Sequence, residues 1–150
     1  MFAGSFDPFT RGHESIVRRG LELFDRIIVG IGINPDKKPL MTAEERKQWI
    51  DAVFADEPRV SVIAYTGLTV DAARQHGARF LLRGVRTADD FLYEQHMAEV
   101  NRDLAGIETV MLNTLPHLSE ISSTKVRELI ATGDDISALV PENAPIPHNK

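Results

Sequence analysis

Glycine, hydroxyl and histidine groups crowd into AGSFDPFTRGH, residues 3 to 13, where Gly4, Ser5, Asp7, Thr10, Gly12 and His13 fall between two apolar runs. A tight turn needs fewer polar groups. A second such stretch is ISSTKVRE, residues 121 to 128, in which Ser122, Ser123 and Thr124 are consecutive. Capping a helix takes one hydroxyl, so three in a row suggest contacts to phosphate oxygens. If each stretch opens a helix, its unpaired backbone N–H groups carry positive potential and make an anion site. Thr10 is placed to cap the first of these helices, which projects His13 from its first turn. Three basic pairs could add charge to such a site: Lys37 with Lys38, Arg83 with Arg86, and Lys125 with Arg127. Pairs of this kind are usually solvated surface, so their position in the fold decides.

The elements that must position these groups follow from periodicity. RIIVGIGI (26–33), VSVIAY (60–65), FLLRGV (80–85) and TVMLN (109–113) are apolar throughout rather than alternating. Such runs suit strands covered on both faces, as in a parallel sheet. A first strand is very short, essentially Met1 to Ala3. Between the strands lie helical patterns. Ile16, Val17, Gly20, Leu21 and Phe24 form one apolar stripe. TAEE (42–45) reads as a capping box, Thr42 with Glu45, ahead of Trp49, Ile50, Val53 and Phe54. TADD (87–90) opens a helix carrying Phe91, Glu94, Met97, Ala98 and Asn101, and Gly77 and Gly133 read as helix stops. Strand alternating with helix implies right-handed crossovers and a doubly wound α/β sheet. In such sheets ligands lie beyond the carboxyl ends of the strands, near the reversal of strand order.

With 150 residues, one domain is expected over 1–150, with a loosely packed proline-rich tail from about 141 to 150. A chain of this size buries roughly 68–70% of its unfolded surface. The formal charge of −5 argues against a duplex nucleic-acid partner, whose binding rests on many basic contacts to phosphates. It leaves room for one small anion. The absence of cysteine fits a reducing cytoplasm, and neither a leader-like start nor a membrane-length apolar run is seen. GIG at 30–32 sits inside a strand and lacks the third glycine and the following helix of a dinucleotide fingerprint, so close packing is the better reading. No Walker loop occurs. The five histidines have no metal-ligand spacing, so no protein-only metal site is expected.

GSFDPFTRGH followed far downstream by ISSTKVRE resembles the HIGH-motif nucleotidyltransferase superfamily, in which this pair of segments grips a nucleoside triphosphate on a Rossmann-like fold. The middle of the chain selects a subfamily. NPDKKP (34–39), RGVRTADDFLYE (83–94) and MAEVNRDL (97–104) look like phosphopantetheine adenylyltransferase, a resemblance covering nearly the whole chain. Nicotinate mononucleotide adenylyltransferases share both ends but usually carry histidine in place of Thr10 and lack the arginine-rich middle. Two departures stand out: Thr124 is shared with those relatives, and Ser5 replaces a usual threonine while keeping the hydroxyl.

The resemblance implies adenylyl transfer from MgATP to 4′-phosphopantetheine, giving dephospho-coenzyme A and pyrophosphate. It implies that His13 is catalytic and donates to the α-phosphate in the transition state. Ser5, Lys37, Thr69 and Arg83 match positions that hold phosphopantetheine. Ser5, Phe6, His13, Gly84, Val85, Arg86 and Glu94 match ATP contacts, with Glu94 on the ribose hydroxyls. Leu118, Ser119, Glu120, Ile121, Ser122, Ser123 and Thr124 match the second triphosphate loop. Mg²⁺ would bridge ATP phosphates chiefly through water. The family is hexameric and binds coenzyme A as a feedback inhibitor, which the resemblance extends to this chain as an expectation.

Overall fold

The computed structural model describes residues 1–146. Five strands, β1 (Phe2–Gly4), β2 (Ile27–Gly32), β3 (Val60–Tyr65), β4 (Phe80–Val85) and β5 (Glu108–Asn113), form one parallel sheet in the order β3-β2-β1-β4-β5. The helices are α1 (Arg11–Gly20), α2 (Ala43–Val53), α3 (Thr69–Gln75), α4 (Ala88–Ala105) and α5 (Ser123–Thr132), with a short 3-10 turn at Pro116–Leu118. This is the doubly wound α/β fold that the apolar runs call for.

Two cores, one on each face of the sheet, explain why those runs do not alternate. One gathers Phe2, Val29, Ile31 and Leu82 with Ile16 and Val17 of α1, Trp49, Ile50 and Val53 of α2, and Val126 of α5. The other gathers Met1, Ala3 and Leu81 with Val70, Ala72 and Ala73 of α3. Successive residues of β1 and β4 thus serve opposite cores, as the pleat requires. GIG is a packing device: a Cβ on Gly30 would lie 3.0 Å from Met1 Sδ and 3.1 Å from Tyr65 Cε1.

The winding reverses at β1, which neighbours both β2 and β4. Against β2 its register runs Phe2↔Val29 to Gly4↔Ile31, whereas against β4 it is limited to Phe2↔Leu82. The strands therefore part beyond Phe2, and a cleft opens at their carboxyl ends, at the topological switch point.

Two expectations need correction. The apolar stripe assigned as far as Phe24 outruns its helix: α1 ends at Gly20, and Phe24 reaches the core from the turn that follows, its ring 5.6 Å from that of Phe80. In the tail, expected to be loose from 141, Pro141 and Ala144 are buried and Ala144 N–H donates to Pro141 O at 3.0 Å, because Val140 and Ala144 complete the α1-side core. Residues 147–150 of that tail lie outside the described residues. Gly77 and Gly133 do end helices, with φ of +74° and +77° that favour a residue without Cβ.

Candidate active site

The loop from β1 to α1 is held open by its main chain. Phe6 takes a φ of +50°, an uncommon conformation for a bulky residue, and the Asp7–Pro8 peptide is cis. Every carbonyl from Ser5 to Pro8 save that of Phe6 accepts from a distant side chain. Arg46 Nη1 donates to Ser5 O at 2.7 Å, Arg127 Nη1 to Asp7 O at 2.7 Å, and Ser123 Oγ to Pro8 O at 2.8 Å. The Asp7 carboxylate turns inward and accepts from Leu40 N at 2.8 Å and Met41 N at 2.9 Å, which anchors the approach to α2. Asp7 is thus structural. Arg46 and Arg127 were not picked out as loop clamps, because nothing in one sequence tells a buried guanidinium on a helix from an exposed one.

Thr10 caps α1 as expected, accepting from His13 N–H at 3.4 Å. The imidazole completes the box from the other side: Thr10 N–H donates to His13 Nδ1 at 3.0 Å. That bond occupies Nδ1 as an acceptor and leaves Nε2 as the proton-bearing nitrogen of the neutral ring. The rings of Phe6 and Phe9 lie 5.0 and 5.3 Å from the imidazole, with Phe2 at 6.2 Å. Burial, then the charges of Arg83 and Arg86, push the His13 pKa down to about 4. At neutral pH the residue is an uncharged donor.

His13 faces a cleft of about 330 Å³ bordered by Phe6, Gly12, Arg83, Gly84, Arg86, Glu94, Leu118, Ile121, Ser122 and Ser123. Residues separated by more than 100 positions meet here because the N-termini of α1 and α5 both open onto the switch point. Ser5 and Thr69 border an adjoining depression of about 440 Å³ together with Asn34, Tyr65 and Arg83. Tyr65 Oη and Thr69 Oγ1 share a 2.8 Å hydrogen bond, which fixes the start of α3. A third hollow, about 340 Å³ and more apolar, runs between α3 and α4 past Thr69, Met97, Ala98, Asn101 and Leu104. Arg83 borders all three.

The arginines of β4 and its following loop are oriented by the fold. Arg83 donates from Nε and Nη2 to the two carboxylate oxygens of Glu94 at 3.0 and 2.8 Å, and from Nη1 to Ala3 O. Arg86 Nη1 donates to Ser119 O at 3.2 Å, tying β4 to the loop before α5.

Other expected site residues sit differently. Lys37 is exposed on the loop after β2 and borders none of these three hollows. Val85 is buried at the end of β4, paired with Asn113 of β5, and its carbonyl accepts from Thr114 N–H at 2.8 Å, so its main chain is committed to the sheet. Ser119, Glu120 and Thr124 lie outside the His13 cleft. The triple hydroxyl also divides its work: Ser122 Oγ caps α5 by accepting from Lys125 N–H at 3.1 Å, Ser123 binds Pro8 O, and Thr124 Oγ1 accepts from Arg127 Nη2 at 3.1 Å. Ser122 and Thr124, both acceptors here, each keep a hydroxyl proton, and of the two Ser122 borders the cleft.

A protein-family model described as cytidylyltransferase-like matches residues 1–129. The sequence is 51% identical to the phosphopantetheine adenylyltransferase of Phocaeicola vulgatus over 146 residues, covering 97% of each chain. It is 53% identical to that of Porphyromonas gingivalis over 142 residues, covering 95% of this chain and 93% of the other. Among solved structures, a bifunctional NMN adenylyltransferase/ADP ribose pyrophosphatase from Francisella tularensis, complexed with AMP and a manganese ion, superimposes with a TM-score of 0.72 at 16% identity. The superposition covers 96% of this chain and 44% of that larger one.

Proposed function

The chain belongs to the phosphopantetheine adenylyltransferase family, and from that premise we propose that the switch-point cleft is where it joins ATP to its acceptor. The enzyme is a nucleotidyltransferase of coenzyme A biosynthesis, which transfers the adenylyl group of ATP to 4′-phosphopantetheine to give dephospho-coenzyme A and pyrophosphate. The observation that carries the site assignment is the neutral His13, its Nδ1 held by Thr10 N–H, at the mouth of two helix N-termini.

The nucleophile in this reading is an oxygen of the acceptor phosphate. With a second pKa of about 6, a phosphate monoester is mostly dianionic at pH 7 and needs no general base. Its oxygen forms a bond to the α-phosphorus as the bond to pyrophosphate breaks in line. The protein's task is to align two anions and offset charge on the α-phosphate. His13 donates from Nε2 to that phosphate, and Phe6 backs the imidazole. Ser5 orients the acceptor phosphate, Arg83 and Lys37 hold it, and Thr69 lines the path of the pantetheine arm. Gly84, Val85 and Arg86, with Leu118 to Thr124, embrace the nucleotide and its triphosphate.

Mg²⁺ is the metal we assign, travelling with ATP. No group of three or more His, Cys, Asp or Glu side chains among the described residues is arranged to hold an ion, which suits a cation bound by phosphate oxygens and water. When bound, it offsets charge on the triphosphate. A cytoplasmic location, inhibition by coenzyme A and a hexamer complete the reading. Sedimentation should give a particle of six 16.7 kDa chains.

The decisive assay incubates the enzyme with ATP, Mg²⁺ and either phosphopantetheine or nicotinate mononucleotide and follows products by mass. Dephospho-coenzyme A from the first and no dinucleotide from the second is the expected result. The reverse pattern would reject the reading.

A further inference from the structure

Glu94 is 7% exposed on α4, yet it carries an ionisable carboxylate into the wall between the His13 cleft and the apolar hollow. A buried carboxylate is costly unless it is paired. Here both oxygens meet the Arg83 fork, Oε2 at 3.0 Å from Nε and Oε1 at 2.8 Å from Nη2. The resemblance assigns these two residues to different substrates, the arginine to the acceptor and the glutamate to the ribose of ATP. Their geometry makes them one unit.

The donor count shows what that unit offers. A guanidinium has five N–H groups; two are spent on Glu94 and one on Ala3 O, at the end of β1. One N–H on Nη1 and one on Nη2 remain. Because Arg83 is held at once by Ala3 of β1 and by both oxygens of Glu94 on α4, the plane of the fork is fixed before any ligand arrives. Arg83 borders all three hollows, and these two donors are what it can offer a ligand there.

We propose that Glu94 is a positioning residue for the acceptor half of the reaction: it aims Arg83 so that the two spare N–H groups receive the acceptor phosphate. This rests on the assignment of Arg83 to that phosphate. Glu94 then influences the attacking group through Arg83, and its loss is felt in the acceptor before it is felt in ATP.

Glu94→Gln keeps the shape but removes the charge and one of the two accepting oxygens. Loss of a charge-assisted hydrogen bond should raise the KM for phosphopantetheine by roughly 10–100-fold. The KM for ATP should change by less than about threefold, with the unfolding midpoint recorded alongside. In an Arg83→Ala background, Glu94→Gln should add nothing to the acceptor KM, since the group it positions is gone. A raised KM for ATP with an unchanged acceptor KM, or additive effects in the double variant, would overturn the proposal. Glu94→Asp keeps the charge but withdraws it by one methylene. If Glu94→Gln fails to fold, Glu94→Asp must show the same acceptor-selective defect, and a wild-type acceptor KM there would reject the idea. A wild-type enzyme that forms no dephospho-coenzyme A would instead reject the function itself, so the two failures are distinguishable.

Discussion

A histidine that donates in the transition state, the role proposed for His13, must be neutral and oriented, and each condition traces to a particular neighbour of that residue. The Thr10 N–H fixes the tautomer, the three phenylalanines cover the ring on its core side, and Arg83 and Arg86 disfavour a second proton. Replacing His13 with Ala should lower kcat by roughly 10²–10³-fold with little change in ATP affinity, because the lost bond is made chiefly in the transition state. A near-normal kcat with only a raised KM for ATP would contradict this. The same burial has a consequence for stability. The folded pKa of about 4 lies below the ordinary value of 6.5, so the folded state binds fewer protons between these limits. The stabilisation is fully present above pH 6.5 and is lost as pH falls toward 4. Urea titrations should therefore show wild type losing more stability than His13→Asn between pH 7 and 5. Thr10 as a cap and His13 in the first turn were legible in the sequence. That the histidine closes its own box was not, because the familiar box has Glu or Gln at the third helical position.

At the level of elements, α1 must lie close enough to the sheet to bring its N-terminus over the end of β1. Gly20 permits this: a Cβ there would stand 2.6 Å from Leu82 Cδ2 and 2.8 Å from Ile27 Cδ1, both in the buried core. Gly20→Ala should cost about 1–3 kcal/mol through overpacking. Because the collision lies in the core rather than in the cleft, a lower urea midpoint with KM values close to wild type is the expected outcome. An unchanged midpoint would mean that Leu82 and Ile27 repack freely. Sequence periodicity placed Gly20 on the apolar stripe but could not give the reason, since the contacts come from β2 and β4. For the same reason the Thr10 cap and the Thr42 capping box were readable, being local, while the clamps from Arg46 and Arg127 onto the 5–8 carbonyls were not. Those contacts span 41 and 120 residues.

Across the whole molecule, a chain of formal charge −5 concentrates Arg83, Arg86 and two helix N-termini at a single cleft. The alternation of strands and helices made the doubly wound class readable, and the switch-point rule directed attention to the strand ends. Strand order was not readable, because each crossover can place the next strand on either side of its predecessor, and only the packed tertiary structure decides. The cleft is built without a carboxylate cluster, so cation and fold are separable. Asp90 borders the cleft, but its carboxylate accepts from Arg86 N–H at 3.2 Å, and Glu94 is committed to Arg83. Removing divalent cations with EDTA should therefore abolish turnover and leave both the circular dichroism spectrum and the unfolding midpoint of the nucleotide-free enzyme unmoved. Adding Mg²⁺ back should restore activity in parallel with the concentration of MgATP rather than of free metal. A midpoint that falls with EDTA would show that the protein itself holds an ion, and would shift the cation from the nucleotide to the fold.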